Sequence, residues 1–218
     1  MSDGRLFADG TVLRYTIRER LLHWLVGLTY VYLLLTGLAF YSPHLYWLAV
    51  MLGGGPTVRV WHPLVGVVFF IGLLWMYIVW RKDMRMTEVD RLWMKSFRSY
   101  VRNEDENLPP VGRFNPGQKQ FFWVMFWSSI LLFLSGLLLW FTEYIPWNWR
   151  TLRYAAVLVH TSAALVTIGG FIIHIYMGTA VVSDGFTSII RGKVSKTWAK
   201  MHHPLWFDEI TTETSPKK

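Results

Sequence analysis

Residues 154–182 read YAAVLVHTSAALVTIGGFIIHIYMGTAVV, an apolar run with no charged side chain and two histidines, His160 and His174. At 1.5 Å per residue, a helix of this length crosses the ~30 Å hydrocarbon layer of a bilayer with residues to spare. The two histidines are 14 residues apart. That spacing gives a rise of roughly 21 Å and a turn of about 1400°, which is four turns less about 40°. Both imidazoles therefore leave nearly the same face of one helix, at two depths. An ionisable side chain inside a membrane helix is costly, and it is a functional hypothesis by default.

Three further apolar blocks surround this one, at 21–41, 62–80 and 120–141, and all four are long enough to span a bilayer. In lipid every backbone polar group needs an internal partner, and no alternating strand pattern is present, so the spans are helical. The expected fold is all-α, a single-domain integral membrane four-helix bundle over residues 1–218. The loop at 81–119 and the tail at 183–218 are its largest extramembrane parts. The first block is too long for a signal-peptide core and reads as an uncleaved span.

The 218 residues are 53% hydrophobic, carry a formal net charge of +8 and include no cysteine. Without cysteine there are no disulfides, iron–sulfur clusters, c-type haem attachment or thiolate zinc sites. The positive charge is not a nucleic-acid footprint, because it is sorted by loop. Residues 1–20 hold four Lys/Arg, the 81–119 loop nine and the tail six, whereas the remaining two loops hold only Arg59, Arg150 and Arg153. By the positive-inside rule both termini and the central loop are expected in the cytoplasm, with the protein multi-pass in the membrane. Within the central loop, Val89, Leu92, Trp93, Phe97, Tyr100 and Val101 recur at helical spacing. They suggest an amphipathic helix, lying on the membrane surface or packed on a partner protein.

Seven histidines are present. His44 lies in a loop beside Pro43, and His202 and His203 lie in the basic tail, so these three read as surface polar residues. The other four sort by depth. His62 and His160 form an outer pair. His23 and His174 form an inner pair, with the fourth span contributing one member to each. A helix-packing histidine is the bland alternative for any one of them. Four at matched depths weaken that alternative.

Two neutral imidazoles complete too little of a zinc shell. Haem brings four nitrogens of its own and needs only two axial ligands, so two haems b stacked across the membrane fit the pattern. With both axial positions filled by histidine, the iron moves electrons and does not bind oxygen. Small residues near these positions (Gly27, Gly37, Gly66, Gly136, Ala163, Ala164, Gly169, Gly170) leave room for close helices and a flat macrocycle. Arg59, Arg150 and Arg153 are candidate propionate partners.

Several stretches then carry a resemblance: Arg20-Leu21-Leu22-His23-Trp24, Val60-Trp61-His62-Pro63 with Gly66, and Phe114-Asn115-Pro116-Gly117-Gln118-Lys119. Arg153-Tyr154 through His160, His174-Ile175-Tyr176-Met177, and Gly192 to Pro204 continue it. The chain resembles the cytochrome b (gamma) subunit of membrane-bound respiratory formate dehydrogenases over most of its length. The resemblance implies the same ligand pairing and a location in a bacterial inner membrane. It implies an iron–sulfur (beta) subunit as electron donor and a molybdenum or tungsten catalytic (alpha) subunit beyond it. It also implies a quinone acceptor, menaquinone or ubiquinone, near the cytoplasmic face. Quinone contacts would fall on Asn115 and Gly117, with Gln118 adjacent. Pro116 departs from the familiar motif by fixing one backbone angle and removing one donor. Read from residues alone, Asn115 to Gln118 is a turn and a helix start.

The implied function is electron transfer in anaerobic respiration, with formate oxidised in a partner subunit and no catalytic residue assigned in this chain. Three rivals remain at this level: a pure membrane anchor for a soluble enzyme, which would leave the four span histidines unexplained, and two others. One is the cytochrome b subunit of a hydrogenase or a sulfur-compound reductase. The other is a histidine-based proton transporter or channel, which the absence of Asp and Glu from span interiors disfavours.

Overall fold

The four apolar blocks form four long helices in a computed structural model that describes residues 6, 7, 9–96 and 109–214. They are α1 (Ile17–Tyr41), α3 (Gly55–Trp80), α5 (Pro116–Trp140) and α6 (Arg150–Tyr176). The last is prolonged by a π turn over Met177–Val181. Shorter elements are β1 (Thr11–Leu13), α2 (Trp47–Met51), α4 (Glu88–Lys95), α7 (Gly185–Arg191), β2 (Lys193–Ser195), α8 (Lys196–His202) and α9 (Pro204–Thr214). The all-helical, four-span expectation holds, with one two-stranded antiparallel ribbon added to it.

Local sequence explains the ends of these helices. Thr16 and Glu19 bond each other's backbone N–H at the start of α1, Thr87 and Asp90 do so at α4, and Asn115 and Gln118 do so at α5. These reciprocal pairs satisfy N–H groups that a helix start otherwise leaves unpaired. Helix α3 begins at Gly55, seven residues before the hydropathy edge at His62. Gly53 and Gly54, at φ of 96° and 90°, end the preceding turn, and Pro56 suits the first turn of the new helix. Pro63 is therefore an interior proline, and His62 lies two turns inside the helix instead of at its mouth.

The chain divides into two compact units. One comprises Leu21–Ile78 and Val124–His174, most of the four long helices with the connections from α1 to α3 and from α5 to α6. Within it Thr36 of α1 meets His62 of α3, Phe70 of α3 stacks on Phe133 of α5, Ser135 of α5 meets His160 of α6, and Tyr30 of α1 packs on Phe171 of α6. The four helices thus close a ring of neighbours. Their outward residues stay exposed, among them Leu28, Ile71, Trp75, Leu134, Leu158 and Ile173. An apolar surface of that extent suits lipid and not water.

The other unit gathers Met1–Arg20, Val79–Trp123 and Ile175–Lys218. The chain start and the tail pair as strands, with Val12 opposite Val194, over a core of Val12, Val194, Trp198, Ala199, Trp206 and Ile210. Three ion pairs tie its parts together. Arg113 bridges Glu19 and Asp83 at 2.7 and 2.8 Å, and Lys119 meets Asp90 at 2.6 Å. Trp80 adds an indole N–H to Glu19 at 2.8 Å. The amphipathic central-loop segment forms α4, with Trp93 buried and Leu92 exposed. Phe97, Tyr100 and Val101 of that pattern lie outside the described residues.

Candidate metal centres

The four span histidines meet as two pairs within the apolar unit. His62 and His160 have ring centroids 6.4 Å apart, and His23 and His174 have theirs 6.1 Å apart. An imidazole nitrogen sits about 2 Å from a bound transition metal and about 1.1 Å from its own ring centre. Two imidazoles facing each other across one ion therefore have centres roughly 6 Å apart. Both pairs match that separation. Among the described residues no group of three His, Asp or Glu converges, so neither pair is part of an ordinary multi-ligand site. Two imidazoles with no third protein ligand would suit a haem, which brings four nitrogens of its own.

Glycines shape the surroundings. A Cβ at Gly37 would lie 3.7 Å from His62 Cε1, and one at Gly136 would lie 3.2 Å from His160 Cε1. These two glycines make room for the imidazole edges. At Gly27 and Gly169 a Cβ would meet nothing within 4 Å, which leaves open space on α1 and α6 for a flat group. His174 is exposed, and His23, His62 and His160 are half-buried. Trp24 stands edge-on to His23, and Phe40 stands edge-on to His62.

Sequence reasoning missed two neighbours of these rings. Thr36 Oγ1 lies 2.7 Å from His62 Nδ1, and Ser135 Oγ lies 3.0 Å from His160 Nδ1. The only trace of them in the chain is a hydroxyl followed by glycine, Thr36-Gly37 and Ser135-Gly136. Of the arginines, Arg150 lies over the Trp147 ring, Arg59 is exposed, and Arg153 donates to the Ile145 carbonyl. Arg153 Nε is buried without a partner, which makes it the arginine best suited to meet an added anionic group.

Asn115 and Gln118 are occupied by capping α5. The Asn115 N–H donates to Gln118 Oε1 at 2.9 Å, and the Gln118 N–H donates to Asn115 Oδ1 at 2.8 Å. Their side-chain NH₂ groups take no part in this box. Gly117 backs onto the same pair, where a Cβ would lie 3.4 Å from Asn115 Oδ1.

His44 is exposed, as the sequence suggests. His203 corrects the reading of a surface tail. It is only 3% exposed, its Nδ1–H donates to the Gly112 carbonyl at 2.8 Å, and its Nε2 accepts from Arg14 Nη2 at 3.2 Å. The tail folds back over the chain start and buries it, a long-range contact that local polarity could not reveal. Burial, with the Arg14 guanidinium beside it, pushes the His203 pKa down to about 3, so the ring is neutral and can accept from arginine. Burial likewise lowers the Arg14 pKa. Burial also opposes the charge of Arg113, but Glu19 and Asp83 outweigh it and raise that pKa.

Residues 14–182 match the family described as Prokaryotic cytochrome b561. The chain is 33% identical to the cytochrome b556(fdo) subunit of formate dehydrogenase from Escherichia coli K12 over 208 residues, covering 95% of this chain and 97% of that one. It is 30% identical to the nitrate-inducible cytochrome b556(Fdn) subunit of the same strain, covering 95% of each chain. It is 26% identical to the cytochrome b556 subunit of formate dehydrogenase from Haemophilus influenzae, covering 96% of this chain and 87% of that one. With two opposed histidine pairs on four apolar helices and a match of this extent, the chain belongs to the prokaryotic cytochrome b561 family.

Proposed function

We propose that this chain is the di-haem cytochrome b subunit of a formate dehydrogenase complex, conducting electrons from an iron–sulfur subunit to a quinone. The observation that carries the reading is the pair of opposed histidines at each of two levels of one four-helix unit, with ring separations of 6.4 and 6.1 Å. His62 and His160 hold one haem b, and His23 and His174 hold the other. A haem held this way supplies reversible one-electron transfer with no open position on the iron. The protein's part is to fix the imidazoles, seal the site in apolar side chains and keep the two levels about 21 Å apart along α6. The relatives named as formate dehydrogenase subunits support membership of such a complex. Its catalytic subunit, carrying molybdenum or tungsten, is the proposed site of formate oxidation.

The termini and the central loop belong to one compact unit and carry 19 of the 22 Lys/Arg of the chain. That supports a cytoplasmic location for this unit in a bacterial inner membrane. His23 and His174 then form the cytoplasmic pair, and His62 and His160 form the outer one. Each electron conducted inward works against the field by about 2.3 kcal/mol per 100 mV. The quinone, menaquinone or ubiquinone, is assigned to the helix start at Asn115, Gly117 and Gln118. The amide NH₂ groups outside the capping box are suitable donors to its carbonyls.

Purification of the intact complex tests this reading. The expected result is two haems b per copy of this chain, with reduction of both by formate and reoxidation by added quinone. A complex without haem bands would sink the reading. Reduction by dihydrogen and not by formate would reassign the partner to a hydrogenase.

A further inference from the structure

His62 and His160 stand on different helices, α3 and α6, yet each meets the same two-residue device on a neighbouring helix. On α1 the device is Thr36-Gly37, and on α5 it is Ser135-Gly136. Each hydroxyl faces both an imidazole Nδ1 and a carbonyl of its own helix. Thr36 Oγ1 lies 2.8 Å from the Tyr32 carbonyl, and Ser135 Oγ lies 2.6 Å from the Leu131 carbonyl. A hydroxyl has one hydrogen and two lone pairs. Once that hydrogen goes to the helix carbonyl, the oxygen can only accept from the imidazole. Nδ1 therefore carries the ring proton, and Nε2 keeps its lone pair. Thr36 is 0% exposed and Ser135 4%, so bulk water offers neither hydroxyl an alternative partner. The glycine that follows each hydroxyl gives the ring its space, with a Cβ at Gly136 falling only 3.2 Å from His160 Cε1. His23 Nδ1, by contrast, is buried with no hydrogen-bond partner.

We propose that Thr36-Gly37 and Ser135-Gly136 are positioning pairs that hold His62 and His160 in the Nδ1–H tautomer, leave Nε2 as the ligating nitrogen, and tune the potential of that one centre. The inference rests on the reading of these histidines as haem ligands. An Nδ1–H that donates to oxygen makes its imidazole a stronger donor to the metal. A stronger donor favours the ferric over the ferrous state, so loss of either hydroxyl should raise the midpoint potential.

Redox titration of the purified complex, followed optically and by low-spin ferric electron paramagnetic resonance, tests this. Thr36→Val and Ser135→Ala should each shift the same centre, the one that His62→Ala removes. The expected shift is toward the ferrous form by up to about tenfold, or 59 mV for a one-electron couple. The other centre should stay unchanged, and Thr36→Ser should restore the original potential. Gly136→Ala should alter the ferric resonance of the same centre by displacing the His160 ring. If Thr36→Val fails to retain that haem, retention by Thr36→Ser still supports the role of the hydroxyl, whereas its loss from both variants overturns it. Unshifted potentials and spectra in a complex that holds two haems would overturn this inference alone. So would a shift in the centre that His23→Ala removes. A haem-free unmutated complex would overturn the ligand reading beneath it.

Discussion

Four imidazoles in lipid-spanning helices would each be a liability unless something used them. Pairing at about 6 Å suits two imidazoles that share one haem iron, and rings that far apart do not bond each other. His62→Ala and His160→Ala should therefore each abolish the same haem band, and His23→Ala and His174→Ala should abolish the other. Haem content and reduced-minus-oxidised spectra of purified variants measure this, and loss of one common band from His23→Ala and His62→Ala would break the pairing. The histidines were legible because charge patterning and the 14-residue step assign each a depth. Thr36 and Ser135 were not. A hydroxyl in an apolar span ordinarily bonds its own helix four residues back, and both do so here. Only the neighbouring helix reveals their second partner.

At the scale of elements, helix starts double as junctions. Glu19 caps α1 through Thr16 and also accepts from Arg113 and Trp80, while Asp90 caps α4 and accepts from Lys119. The Thr16–Glu19 and Thr87–Asp90 spacings are local capping patterns present in the sequence. The arginine and lysine that reach them come from distant positions and were not foreseen. Glu19→Ala removes the cap and leaves Arg113, only 19% exposed at its side chain, with one carboxylate partner in place of two. Loss of a partner from a buried pair costs about 3–5 kcal/mol. Glu19→Gln keeps a cap-competent oxygen and should cost less. Thermal or denaturant unfolding of the two purified variants checks the order, and equal stability would show that Arg113 does not depend on Glu19. The α3 boundary shows the opposite limit of local reading. Hydropathy placed it near His62, but the backbone turn at Gly53 and Gly54 set it a full two turns earlier.

At the scale of the molecule, the tail is the largest departure from expectation. The basic tail, whose His202 and His203 read as surface polar residues, instead adds a strand to β1 and buries Trp198, Trp206 and His203. The consequence is a pH-dependent unit. The folded pKa of His203 is about 3, below its ordinary value of 6.5, so its contribution is fully present above pH 6.5 and lost as pH falls toward 3. The loss amounts to about 1.4 kcal/mol for each pH unit in that window. Hydrogen-exchange protection factors at residues 111–114 and 203–210, corrected for the pH dependence of the intrinsic exchange rate, should fall between pH 7 and pH 5 in the native protein. His203→Gln should flatten that dependence. An unchanged slope in the variant would assign the acid sensitivity to other groups.

Legible in the chain alone was the span count, and from the chain alone come the expectations of which loops share a side and at what depth each histidine lies. Each follows from a rule acting along a helix: hydrocarbon thickness, charge retention and 1.5 Å of rise per residue. Tertiary structure decided the rest. It brought hydroxyl–glycine pairs against two imidazoles and folded the tail over Val12 and Arg14. Those features are contacts between segments far apart in sequence. Their energies depend on which groups burial deprives of water, and that is settled only when the segments meet.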